Sequence, residues 1–168
     1  MKSISIPRLV MAAERMNRVN QRNTWFWYQK RNDAWDVVTP YFFIRSRDDA
    51  ILRAVQGRVE ERHVERSETV SATIDSMLRK DQDQLRNTGI MVESKDATVR
   101  FMASDRYCVA INELYFSIFN IKNIFGHSAI SPVILEGADF VAGIMPIRIG
   151  NQDWVKGLCE VADLCGRR

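Results

Sequence analysis

Between Asp48 and Arg86 the chain contains no proline and a single glycine, Gly57, and this stretch constrains the fold more than any other. Ile51, Val55, Val59, Ile74, Met77 and Leu78 recur there at three- and four-residue spacing, the period of one face of an α-helix. The pattern predicts one long helix over 48–86, or two helices broken near Ser67. Its middle, RVEERHVERSE, offers only Val59 and Val64 for burial, so that part is expected to run over solvent or against a partner chain. Asn87, Thr88 and Gly89 close the helix, the glycine supplying a left-handed conformation past the last turn.

The N-terminal flank is basic. Residues 1–31 carry Lys2, Arg8, Arg15, Arg18, Arg22, Lys30 and Arg31 against Glu14 alone, a net charge of +6 that leaves −3 for the rest of a chain whose total is +3. Residues 8–22 place Leu9, Ala12, Ala13, Met16 and Val19 on one helical face and most of the arginines on the other, which predicts a short amphipathic helix. The segment that follows packs Trp25, Phe26, Trp27, Tyr28 and Trp35 together and is read as core, although aromatics beside Lys30 and Arg31 are also the composition of a base-stacking surface.

Beyond Gly89 the period changes. Alternation over 97–102 predicts a strand with Val99 and Phe101 inward and Thr98, Arg100 and Met102 outward. The apolar run RYCVAINELYFSIFNIKNIF reads as a core helix ended by Gly126, and Ser131–Pro132 as the capped start of a second helix reaching Ile144. A last amphipathic helix is expected at 152–165. The fold class is therefore mainly α with one or two short strands (α+β), in a single domain over 1–168. Its parts are a basic and aromatic segment 1–46, the long helix 48–86, a strand-helix-helix element 97–144 and the C-terminal helix.

Several function classes lose support. The 46% hydrophobic and 27% charged composition is that of a globular chain, no apolar run approaches the roughly 18 residues of a membrane span, and the N-terminus lacks a signal-peptide pattern, so a cytoplasmic location is expected. Cys108, Cys159 and Cys165 are odd in number and widely spaced, and are read as buried reduced thiols. With two histidines and no HxxxH spacing, no metal or other cofactor is expected. P-loop, GxSxG, GxGxxG and HExxH motifs are missing, and the adjacent pairs Asp48–Asp49 and Glu60–Glu61 diverge on a helix, so the chain is not read as an enzyme.

A strand followed by two helices is the layout of a ribbon-helix-helix dimer, in which paired strands enter the major groove of DNA. On that reading Thr98, Arg100 and Met102 contact base edges. Ser131, at a helix start, holds a phosphate. Arg15, Arg18, Arg22, Lys30 and Arg31 grip the backbone. The run DDAILRAVQGRVEE, the strand TVRF, the helix beginning RYCVAINELYF and the later EGADFVAGI resemble, across most of residues 45–145, the AcaB-type transcriptional regulators of conjugative plasmids and integrative elements. The resemblance implies a homodimeric, ribbon-helix-helix-like activator of transfer genes acting on double-stranded DNA, without a small-molecule substrate or a membrane. The alternative is a non-catalytic interaction component of a conjugation or phage-related assembly, with the long helix docked on a partner and the basic face solubilising.

Overall fold

The computed structural model describes residues 4–78, 80–93, 95, 97–148, 157 and 160. After the helix α1 (Ile6–Val19) come three short strands, β1 (Phe26–Lys30), β2 (Trp35–Val38) and β3 (Phe42–Ser46). The helix α2 (Ala50–Arg58), a 3-10 turn at Glu61–His63, the strand β4 (Val64–Arg66) and the helix α3 (Val70–Leu78) follow. The remainder is mostly strand: β5 (Asp83–Gln84), β6 (Arg86–Glu93), β7 (Thr98–Ala103), β8 (Cys108–Asn112), a one-turn helix α4 (Leu114–Ile118), β9 (Asn123–Gly126), β10 (Val133–Glu136) and β11 (Phe140–Ile144).

Two sheets result. One has eight strands in the order β4-β1-β2-β3-β11-β10-β9-β5, and the other three in the order β6-β7-β8. Among the described residues every strand pairing is antiparallel except β1 with β4. The main core lies where one face of the large sheet meets α1, α2 and the small sheet, with Leu9, Phe26, Ile44, Val55, Met102, Ile111 and Ile144 among its buried side chains. A much smaller cluster of Phe43, Val70, Ile74 and Ile134 covers part of the opposite face, beneath α3.

This architecture overturns the mainly α reading, since strand outweighs helix among the described residues, 37% against 29%. The single helix over 48–86 does not form; of the alternative, two helices broken near Ser67, both helices are there as α2 and α3, but the break is longer than expected and holds a 3-10 turn and β4. The first helix ends at Val59, whose backbone turns extended, because the next residues have better partners than a solvated helix would give them. His63 lies flat on Trp25 at 3.9 Å between ring centroids, and Val64 pairs in parallel with Phe26 at the edge of β1. Helical spacing in RVEERHVERSE was a coincidence of composition, and an edge strand with open backbone groups won over it.

The strand-helix-helix element fails for a related reason. Most of RYCVAINELYFSIFNIKNIF is divided between β8, α4 and β9, and the run from Pro132 to Ile144 is a hairpin, β10 and β11, turning at Gly137–Asp139. Short apolar stretches such as CVAI, VILE and FVAGI are apolar all round because both sheet faces are covered, a pattern that a buried helix segment shares. A strand does form where alternation placed one, as β7, and a helix where the N-terminal amphipathic pattern placed one, as α1. The C-terminal helix expected at 152–165 falls outside the described residues apart from Gly157 and Glu160. Cys108, expected as a reduced thiol, is buried in β8 and disulfide-bonded, its partner lying outside the described residues.

Gly143 of β11 sits opposite Phe43 of β3, and the phenyl ring lies over the glycine: a Cβ there would stand 2.0 Å from a ring carbon. Gly143→Ala is expected to displace a fully buried ring at the centre of the sheet and to lower stability by about 1–3 kcal/mol, read from the urea midpoint at unchanged m-value.

Candidate nucleic-acid interface on the first helix

The helix α1 carries Pro7 in its first turn, which the fixed proline φ suits, and buries Leu9, Val10, Ala12 and Ala13 against the main core. Away from that face Arg8, Met11, Arg15 and Arg18 succeed one another at three- and four-residue spacing and are all exposed. The helix ends at Asn20, whose amide bonds the Tyr41 hydroxyl, and Gln21 takes a positive φ of 51°. Arg22 is then fixed through its backbone: its N–H donates to Asn17 O at 3.1 Å, and its carbonyl accepts the Trp25 indole N–H at 2.8 Å. It stands exposed in the turn that follows the stripe.

What sets this surface apart is charge left without an opposite. Elsewhere, arginines 31, 45, 47, 53, 62, 66, 86, 100 and 106 each have a carboxylate within 4.0 Å. Among the described residues Arg15, Arg18 and Arg22 have none. The Arg18 guanidinium stands 5.7 Å from the Trp25 ring centroid, and Arg8 donates to the Ser117 carbonyl at 3.0 Å. Arg58, exposed on the neighbouring helix α2, likewise lacks a carboxylate partner. Two apolar side chains share the surface, Met11 at 64% and Val19 at 76% exposure.

The positions expected to read bases do not come together. In the small sheet β7 is the middle strand, paired with β6 on one side and β8 on the other, so it has no free edge for a second chain. Met102 is 2% exposed, next to the equally buried Phe101 and Ala103, so the alternation lapses where both faces are covered. The Arg100 fork is occupied: its Nε and Nη2 donate to the two Glu113 oxygens at 2.6 Å each, and it lies 4.5 Å from the Phe116 ring centroid. A guanine would need those same two donors. Thr98 is half-buried and its carbonyl accepts the Glu113 N–H.

The phosphate-binding set divides. Ser131 is in the loop before β10 rather than at a helix start, and its N–H and hydroxyl are bonded to the Ser128 hydroxyl. The Lys30 ammonium lies 5.3 Å from the Trp35 ring centroid, and Arg31 is tied to Asp75 at 2.9 Å. Among the described residues Arg15, Arg18 and Arg22 have no carboxylate partner, and neither has the exposed Lys30 of β1.

One cluster was missed altogether. Asp36 and Arg45 are cross-strand neighbours of β2 and β3, and the fully buried Asp36 carboxylate takes two hydrogen bonds from Arg45, at 2.7 and 2.8 Å. A third Arg45 donor reaches Asp75 of α3 at 2.8 Å, and Asp75 also receives Arg31. The Asp36 bond, with help from Asp75, raises the Arg45 pKa further above its already high value, and the Arg45 and Arg31 bonds lower that of Asp75 below 3.8. Reading WDVV and FFIRS as two strands of one hairpin would have set Asp36 opposite Arg45. Charges that neutralise one another this fully hold a fold together and offer little to a ligand. No group of three or more His, Cys, Asp or Glu among the described residues could hold a metal ion. No helix among them is long and apolar enough to cross a membrane.

No family model, curated protein or solved structure matches this chain.

Two outcomes follow from the cluster. Asp36→Asn leaves the Arg45 guanidinium without its buried counter-charge and is expected to cost about 3–5 kcal/mol in denaturant unfolding. Because the folded-state pKa of Asp75 lies below its unfolded value, its contribution is present above pH 3.8 and lost as pH falls through the lower folded value. The wild type should therefore lose stability at the acid end of a urea-midpoint series, and Asp75→Asn should flatten that slope.

Proposed function

We propose that this chain binds double-stranded DNA through the phosphate backbone, with the exposed surface of α1 and its following turn as the contact. The observation that carries the reading is the arginine set 15, 18 and 22, which has no carboxylate partner among the described residues while most arginines elsewhere are paired. Such guanidiniums displace condensed counterions from a duplex and supply affinity without sequence information. The helical rise of about 1.5 Å per residue puts Arg15 and Arg18 roughly 4.5 Å apart along the axis, comparable to the roughly 3.4 Å phosphate step of one strand. Regulation of transcription on a mobile element is the use of such binding that the resemblance to AcaB-type regulators implies. A base-reading ribbon is no longer part of it.

The experiment is a salt series of duplex affinities by fluorescence anisotropy. Three phosphate contacts correspond to a slope of about −2.7 in log K against log salt, and the combined Arg15→Ala, Arg18→Ala, Arg22→Ala variant should lose most of that slope on every duplex tried. An unchanged slope, or no binding at roughly 50 mM salt, would dismiss the reading. Exposure of Met11 and Val19 between the arginines favours a second reading, an acidic protein partner with apolar pockets. In that case association depends on Met11 and Val19 and the duplex is ignored.

A cytoplasmic site of action belongs to the DNA reading, and reducing compartments do not preserve ordinary disulfides. Cys108 bears on it directly. Intact mass after alkylation in the cell lysate is expected to show this disulfide protected by burial. Full alkylation of Cys108 on gentle denaturation without reductant would mean that the bond does not form in that compartment.

A further inference from the structure

The two faces of the large sheet are covered very unequally. On the side away from α1, side chains alternate out of β1, β2 and β3 into an apolar half, with Trp27, Val38 and Phe43, and a polar half, with Gln29, Asp36 and Arg45. The cover there is α3, nine residues long, of which only Val70 and Ile74 are buried. Met77 and Leu78 pack beside them only half-buried, and the ordering of nine residues of helix backbone opposes this small dry contact. Apolar packing alone therefore does not hold this helix down.

Its remaining attachments are polar and localised. Near its start the Ser71 N–H donates to the Gln29 side chain at 2.8 Å. One turn further on, Asp75 is gripped by Arg45 and Arg31, at side-chain exposures of 28% for the carboxylate and 21% and 38% for the guanidiniums. The seat is not filled. A cleft of about 430 Å³ opens beside Ser71 and Asp75, another of about 220 Å³ between Trp27, Val38 and Val70, and the buried Ser71 hydroxyl has no hydrogen-bond partner.

We propose that α3 is a detachable cover. It lifts from the sheet as a unit while both sheets and the main core stay folded, and the Asp75 clasp to Arg45 and Arg31 sets how often it does so. Lifting uncovers Phe43 and Ile134, which the closed chain buries, and widens the exposure of the half-buried Trp27 and Val38 into one apolar surface. The inference does not depend on nucleic-acid binding, since α1 lies on the other side of the sheet.

Native-state hydrogen exchange on the full chain tests it, comparing peptides from 70–78 with those from 42–46 and 133–144. In the wild type, α3 amides should exchange through an opening that leaves the two strand regions protected. Asp75→Asn should speed α3 exchange about tenfold or more, leave β3, β10 and β11 unchanged, and raise the fluorescence of 1-anilinonaphthalene-8-sulfonate under native conditions. A second measurement needs no variant: raising NaCl towards roughly 1 M screens the half-exposed clasp and should accelerate α3 alone in the wild type. Exchange of α3 only at the rate of β3 and β11, or equal acceleration of all three regions by Asp75→Asn or by salt, would overturn the proposal.

Discussion

The pairing of β3 with β11 is the contact on which the rest of this protein depends. Phe42 to Ser46 lie against Ile144 to Phe140 in an unbroken antiparallel register, and this one seam joins the N-terminal strands β1 to β3 to the C-terminal strands β9 to β11. Without it there are two small sheets, each with an exposed edge and an apolar face too narrow to bury alone. With it there is an eight-stranded platform, on one side of which α1, α2 and the small sheet enclose a continuous core. The Phe43 ring over Gly143 sits on this seam, so glycine there permits the close approach of an aromatic side chain across strands. Because the partners are about a hundred residues apart, closing the seam carries a loop-entropy cost that only the whole core repays.

Charge follows the same division between what the fold has used and what it has left over. On the α3 side Asp36, Arg45, Asp75 and Arg31 bond one another so completely that their ionisation serves the architecture. In the small sheet Arg100 is claimed by Glu113. Among the described residues the arginines of α1 meet no such counter-charge: the helix turns its small apolar residues to the core, and its single acidic residue, Glu14, forms no ion pair with them. Unpaired charge at a surface is free to act on a polyanion, and this contrast, rather than net charge, makes α1 the functional candidate.

How legible this was from sequence depends on the range of the interaction concerned. The amphipathic pattern of α1 is local, and its helix and cationic face follow from residues a few positions apart. The strand at Thr98–Ala103 is also visible in alternation, yet the burial of Met102 is not, since it depends on β8 and on core residues distant in the chain. The reading of 48–86 as one helix went wrong where short-range periodicity met a long-range competitor, the stacking of His63 on Trp25 and the pairing of Val64 with Phe26. The Asp36–Arg45 pair lies only nine residues apart and was still missed, because a cross-strand neighbour is visible only once both strands are recognised.

By itself, then, the sequence determined the N-terminal amphipathic helix, the concentration of positive charge on the first thirty-one residues and the presence of enough apolar side chains for a core. Those are properties of spacing and composition, set by contacts along the chain. Tertiary structure alone decided that the apolar runs after Gly89 become strands, that β7 is closed in on both sides, and which arginines are neutralised. The physical reason is that a strand completes its hydrogen bonds with a partner elsewhere in the chain, whereas a helix completes them within itself. For segments apolar on every side, only the availability of that partner separates the two.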